Sequence, residues 1–373
     1  MRRRRFSAAL LAPLAAPFMA VAGAFPAWAG AQNESPATLA ERGLAPYLLR
    51  DDAMRFAAEL AERAKLPLPW VREAIGQALF NPRVQRLMRP ATPESGARNW
   101  ALYRSRFVEP VRIRAALQFW RAQRAALTRA QGDYGVPPEI IVGILGVETL
   151  FGRHMGRFRV LDALATLSFD FPPEHPNHAA RQGYFAGELE SFLILCRASG
   201  LPPNQPRGSY AGAMGMPQFM PSSWLRYAVD YDGNGRIDLA GSAADAIGSV
   251  ANYLKAHGWQ SGLPATYPVR LLPQADLNGL LAAGIQPALR PADLTAMGAQ
   301  LTTAAGLAHP GLLALVELQN GDPATPGNEP LFLAGTENFY AITCYNQSVF
   351  YAMAVIELGE AVAANMEVTK YST

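Results

Sequence analysis

The sequence predicts a mainly α protein of the α+β class, a helical body interrupted by one small β-rich insertion. Two patterns lead there: apolar residues recur at three- and four-residue spacings over most of the chain, and the composition changes between about Trp259 and Thr336. From Ala53 to Arg89, Phe56, Leu60 and Ala64 followed by Val71, Ile75 and Leu79 mark two short helices joined at Leu66-Pro67-Leu68-Pro69. A turn-rich stretch from Pro90 to Gly96 precedes one long helix from Pro110 to Tyr134, ended by Gly135. Pro137 and Pro138 open the next helix, because a missing N–H costs nothing in a first turn. Further helices are expected near Val160 to Leu167, Asn177 to Ser199 and Ser242 to His257. In the insertion, Tyr267 to Leu271, Gly311 to Gln319 and Glu329 to Leu333 are β-like runs between Gly, Pro and Asn turns. Asn346 to Val362 returns to helix with Val349, Ala352, Met353 and Ile356 on its buried face.

Residues 1–29 have the make-up of an export signal: basic Arg2 to Arg5, an apolar run from Leu10 to Ala24, and Ala27-Trp28-Ala29 as a small-x-small cleavage site. Pro13, Pro17 and Pro26 break the run, which favours cleavage over a membrane anchor. Arg3-Arg4-Arg5-Phe6 suits a twin-arginine route loosely and the general secretion route equally well. Cleavage removes four arginines, so 33 basic residues become 29 against 30 acidic ones, and a net charge of +3 becomes −1. Nothing in that balance points to nucleic acid. The two cysteines, Cys196 and Cys344, allow one disulfide or two buried thiols, and neither follows the signal closely enough to carry a lipid. A soluble periplasmic monomer is expected. Its parts are a signal (1–29), an N-terminal helical portion (36–120), a helical core (121–258), the β-rich portion (259–336) and a C-terminal strand or helix returning to the core (337–366).

Glu148 is the first candidate for chemistry. It is set in the apolar helix Pro137 to Gly152, with Ile144, Leu145, Phe151 and Gly152 as its i−4, i−3, i+3 and i+4 neighbours. Hydrocarbon around a carboxyl raises its pKa and makes it a proton donor; the competing reading is a Glu at a helix end reaching solvent or Arg153. The stretch Gly208 to Trp224 is poor in charge and rich in Gly, Met, aromatics and amides, which suits a sugar held by ring faces and amide hydrogen bonds. A packed loop with Met as gap filler is the alternative.

These two segments, with Asp245 to Tyr253 and Ile342 to Asn346, resemble the lytic murein transglycosylase B family from about Phe56 to Val362. The resemblance implies a lysozyme-like helical core that cleaves the β-1,4 bond between N-acetylmuramic acid and N-acetylglucosamine, with a 1,6-anhydro ring as product. It implies Glu148 as the single catalytic acid/base, and Tyr103, Ser209, Gln218, Tyr253, Tyr345 and Asn346 along the substrate groove. Partners would be peptidoglycan glycan strands and cell-wall synthesis proteins. Glu139, in a first turn, and Asp162, read as a helix N-cap, do not look like a second catalytic acid. A noncatalytic peptidoglycan-binding or scaffold protein with the same groove is the second reading, and a desolvated acid argues against it.

No cofactor is required for this chemistry. Asp230-Tyr231-Asp232-Gly233-Asn234-Gly235-Arg236-Ile237-Asp238 nevertheless matches the first nine positions of an EF-hand loop, offering Asp230, Asp232, Asn234, the Arg236 backbone carbonyl and Asp238 to a structural calcium ion. Gly241 stands where the twelfth-position acid belongs, and Asp245 lies four residues too far on. A sharp Asx-rich turn without metal is the alternative. His175 and His178 are read as part of a polar loop.

Overall fold

The computed structural model describes residues 46–90, 98–322 and 325–370. The expected signal, 1–29, and most of the turn-rich stretch after Pro90 lie outside the described residues. Apolar side chains gather in three clusters that interleave along the chain. The first holds the helices Pro110–Ala122, Arg124–Tyr134, Pro138–Thr149, Ala243–Ala256 and Glu337–Thr343, together with the C-terminal helix Val349–Lys370. In the second, Asp51–Arg63, Leu68–Gly76 and Pro82–Leu87 pack with Val160–Phe169 and His178–Ser199. The third fills the β-rich insertion.

Between Asp51 and Arg89 three α-helices form rather than two, because Asn81 caps a further one with its side chain on the N–H groups of Arg83 and Val84. The helix expected from Pro110 to Tyr134 breaks at Gln123, where φ is −107° and ψ is 19°. Ala122 to Ala125 carry no breaker, so packing overrides propensity there. The first half lies on Pro138–Thr149 and the second mainly on Ala243–Ala256.

The insertion is a four-stranded antiparallel sheet of β3 (Thr266–Leu271), β4 (Ala299–Leu301), β5 (Ala314–Leu318) and β6 (Leu331–Gly335), in the order β4-β3-β6-β5. Two short strands precede it, β1 (Phe158–Arg159) and β2 (Arg207–Gly208), paired antiparallel. β4 is the strand the sequence did not announce. Three residues are too few for a visible alternation, and its register comes from pairing Leu301 with Val269.

One helix crossing positions the site. The Val349–Lys370 helix packs on Pro138–Thr149 through glycines on both sides: a Cβ on Gly143 would strike the Val355 carbonyl, one on Gly146 the Leu358 side chain, and one on Gly359 the Glu139 carbonyl. Backbones that close leave no room for larger residues at these points. The stretch Val349–Met366 is long and apolar enough to cross a membrane, and it is largely buried in this contact.

Both cysteines are free, Cys196 in the second cluster and Cys344 beside the first. Asp162 is not a helix N-cap. Arg159 holds that position, and the Asp162 carboxylate accepts the Leu79 N–H at 3.0 Å.

Candidate active site

Glu148 is the penultimate residue of Pro138–Thr149, and the chain turns sharply after it. Leu150 and Phe151 take left-handed backbone angles, with φ of 50° and 59°, which large side chains rarely adopt. The Leu150 and Phe151 N–H groups close the helix end on the carbonyls of Gly146 and Leu145. Phe151 then stacks on Phe119 with ring centroids 4.6 Å apart. Thr149 Oγ1 donates to the Met216 carbonyl at 2.8 Å and accepts the Gly152 N–H at 2.9 Å, so the helix end is tied to the Gly- and Met-rich loop.

The Glu148 residue keeps part of its surface open, while its carboxyl is surrounded by apolar and aromatic groups. Burial pushes its pKa up to about 7, and one hydrogen bond, from the Tyr351 hydroxyl to Oε1 at 2.7 Å, works against that rise. The expected alternative of contact with Arg153 does not form; Tyr351 is the partner. Tyr345 and Tyr103 also lie within electrostatic reach of Glu148, and burial pushes the Tyr103 phenol up to about 12.

The remaining groove residues fall into two groups. Tyr253, Tyr345 and Phe219 form an aromatic wall, with Tyr253 and Tyr345 centroids 4.8 Å apart. Its hydroxyls are anchored: Tyr345 donates to the Pro217 carbonyl and Tyr253 to the Cys344 carbonyl, both at 2.7 Å. Asn346 is buried next to this wall in sequence, and its Oδ1 has no hydrogen-bond partner among the described residues, which suits an acceptor reserved for a ligand. Tyr103 stands apart from the wall, against Trp100, Phe107 and Phe350. Ser209 Oγ accepts the Ala213 and Ala211 N–H groups at 3.0 and 3.3 Å, and Gln218, at φ 50°, donates to Gly215 and Met155 carbonyls. These two residues shape the loop.

The Asp230 loop is tied to the same place. Asp230, Asp232 and Asp245 bring carboxylate oxygens within 4.8 Å of one another, so Asp245 reaches the loop in spite of its sequence offset. It is fully buried and accepts N–H groups from Tyr231, Asp232 and Asp238. Asp238 turns away, capping Ala240 and Gly241, and Asn234 Oδ1 accepts the Arg236 N–H. Leu239, at the loop's end, accepts the Met216 N–H at 2.8 Å, and Gly215, at φ 73°, leaves no space for a side chain against Leu239.

A protonatable glutamate beside an aromatic, amide-lined loop is a glycan-cleaving arrangement, and the comparison with known proteins decides its kind. The family model described as "Transglycosylase SLT domain" matches residues 49–360. The chain belongs to the transglycosylase SLT family. This transglycosylase is 42% identical over 319 residues to the membrane-bound lytic murein transglycosylase B of Escherichia coli K12, covering 84% of this chain and 82% of that protein. The structure of the Escherichia coli lytic transglycosylase SLT35 in complex with calcium superposes with a TM-score of 0.71 at 38% identity, covering 86% of this chain and 95% of that one. SltB3 of Pseudomonas aeruginosa, in complex with NAG-anhNAM-pentapeptide, matches with a TM-score of 0.67 at 29% identity, covering 84% and 78%. The mainly α fold with a small β-rich insertion is that of these lysozyme-like enzymes.

Two functional residues escaped the sequence reading. Tyr351 interrupts the apolar run Val349 to Ile356 much as Glu148 interrupts its own helix, which was the available signal. Asp245 is visible in the sequence, but it stands four residues past the twelfth loop position and could equally serve its own helix.

Proposed function

We propose that Glu148 is the sole acid and base with which this lytic murein transglycosylase cuts the β-1,4 bond between N-acetylmuramic acid and N-acetylglucosamine. The observation that carries this is a carboxyl raised to about 7 with one phenol partner and, among the described residues, no second carboxylate acting on it. Glu139 begins the same helix nine residues earlier, roughly 13 Å away along the axis, beyond the roughly 5–9.5 Å separations of two-carboxylate glycosidases. Asp162 serves Leu79 and Arg159 in another cluster. Neutral Glu148 protonates the bridging oxygen as the bond breaks. Its carboxylate then takes the proton from the C6 hydroxyl, whose oxygen closes on C1 to form the anhydro ring. The sugar's own N-acetyl group stabilises the anomeric centre, and the Tyr253–Tyr345 wall with Asn346 holds the sugar so that ring closure is unimolecular.

The test is digestion of purified peptidoglycan by the mature protein and by Glu148→Gln, with products identified by mass. Anhydro-muropeptides from the wild type alone support the reading. Reducing-end products would sink the single-carboxylate mechanism, and no product from either protein would favour the noncatalytic scaffold.

The substrate is the glycan strand, in line with the muropeptide held by the Pseudomonas relative. A cleaved signal, read from Arg2 to Arg5, the apolar run after them and Ala27-Trp28-Ala29, and a soluble periplasmic monomer are part of this reading. Recruitment by cell-wall synthesis proteins belongs to the same reading. Asp230, Asp232 and Asp245 form an oxygen-only donor set that fits a calcium ion, with the Asn234 side chain and the Arg236 carbonyl as further ligands. The ion would supply rigidity rather than chemistry, passed to the groove through the Leu239–Met216 hydrogen bond. The melting temperature should rise with added calcium and lose that response in Asp230→Ala; a wild-type melt indifferent to calcium would remove the metal.

A further inference from the structure

A second cavity, of about 420 Å³, opens between the Leu68–Gly76 helix and the end of His178–Ser199. Its volume falls among the roughly 300–1,000 Å³ of ligand sites. None of the residues assigned to cleavage lines it. Half-buried Trp70 forms one wall, and the Arg197 guanidinium lies 5.8 Å from the centroid of its ring. Among the described residues Arg197 has no carboxylate partner, so its charge remains available to an anion. Around the rim, Gln77 donates to Glu73 at 3.2 Å and accepts from Asn204 at 3.3 Å. Amide and carboxyl groups in a row offer both donors and acceptors to hydroxyls, while the indole offers a flat apolar face.

We propose that this cavity is an accessory, noncatalytic subsite for a muramic acid residue of the glycan strand whose lactyl carboxylate carries no stem peptide. Trp70 takes the pyranose face, Glu73, Gln77 and Asn204 take hydroxyl and acetamido groups, and Arg197 takes the carboxylate. A purely anionic ligand would be repelled by Glu73, and a neutral sugar would leave Arg197 unused. The cavity wall Gly200 to Asn204 runs on through Arg207–Gly208 into Ser209. Four residues lie between Asn204 and Ser209, so the two are no more than about 18 Å apart. The Arg159 guanidinium, next to the Val160–Phe169 helix, also donates to the Gln77 carbonyl at 3.2 Å and ties the cavity rim to the β1–β2 pair beside that loop. A strand lying along that loop is within reach of the cavity, which would hold it between cuts. The proposal rests on the glycan-cleaving reading for its choice of ligand.

Free N-acetylmuramic acid and N-acetylglucosamine carry no scissile bond, so they test the cavity whatever Glu148 does. The readout is the Trp70 indole N–H resonance of the wild-type protein, assigned by its disappearance in Trp70→Phe. It should move on titration with N-acetylmuramic acid, and respond roughly threefold to tenfold more weakly both to N-acetylglucosamine and in Arg197→Gln. A resonance unmoved by either sugar would overturn the subsite, equal responses to both sugars would overturn the role of Arg197, and a response only to a stem peptide would overturn the sugar. Loss of anhydro products in the Glu148→Gln digestion bears on cleavage alone.

Discussion

The Glu148 pocket and the Asp230–Asp245 loop hold their carboxyls in opposite ways. In the pocket, hydrocarbon and ring faces surround an acid that receives one hydrogen bond, from Tyr351. In the loop, Asp245 receives three backbone N–H groups and Asp230 receives those of Gly233, Asn234 and Gly235. Burial raises the Asp230 pKa, but those N–H groups outweigh it and leave the carboxyl below its ordinary value. The difference is one of supplied donors: Glu148, starved of them, keeps its proton near neutrality, and Asp230, given three, stays charged. Asp162 lies between the two. Burial pushes it up to about 6, yet Arg159 and the Leu79 N–H oppose the rise and fix it in structure. A raised pKa alone therefore does not mark a catalyst; a raised pKa open to a groove does.

Substitutions should divide along the same line. Glu148→Gln should lower turnover by about 10²–10⁴-fold, the range of a positioned acid or base. It should also stabilise the fold at neutral pH. Because the folded pKa lies above that of the unfolded chain, Glu148 costs nothing below about pH 4.5 and its penalty grows as pH rises through about 7. Parallel melts should thus coincide in acid and separate toward neutrality by about 3 kcal/mol. Asp245→Asn should do the reverse, destabilising by about 1–3 kcal/mol, because an amide cannot accept from N–H groups on both sides. Urea unfolding measures it, and a neutral effect would mean that the loop does not depend on its buried acid. Tyr351→Phe should have the smallest effect, moving the alkaline limb of the rate profile upward, since the phenol lowers the Glu148 pKa. A limb moving down would show that Tyr351 acts otherwise.

Glu148 was legible because a charge inside an apolar helix is a local contradiction that sequence displays directly. Most of the longer helices and three of the four strands of the insertion were legible through periodicity, while short helices such as Pro82–Leu87 and Pro221–Tyr227 were not. What stayed hidden was fixed by contacts distant in sequence. Tyr351 meets Glu148 across 203 residues, through a crossing whose tightness depends on Gly143, Gly146 and Gly359 in separate helices. Asp245 enters the loop because a helix capped by Ser242 turns it back toward Tyr231. The break at Gln123 leaves no mark in a run of good helix formers.

The central claim is that Glu148 carries its proton near neutrality, and side-chain carboxyl NMR of glutamate-labelled protein measures this directly, with the resonance assigned by its absence in Glu148→Gln. A titration midpoint near 7 is predicted. A midpoint near the ordinary carboxylate value of about 4.3 would contradict the account, because the group would then be charged when it is required to donate.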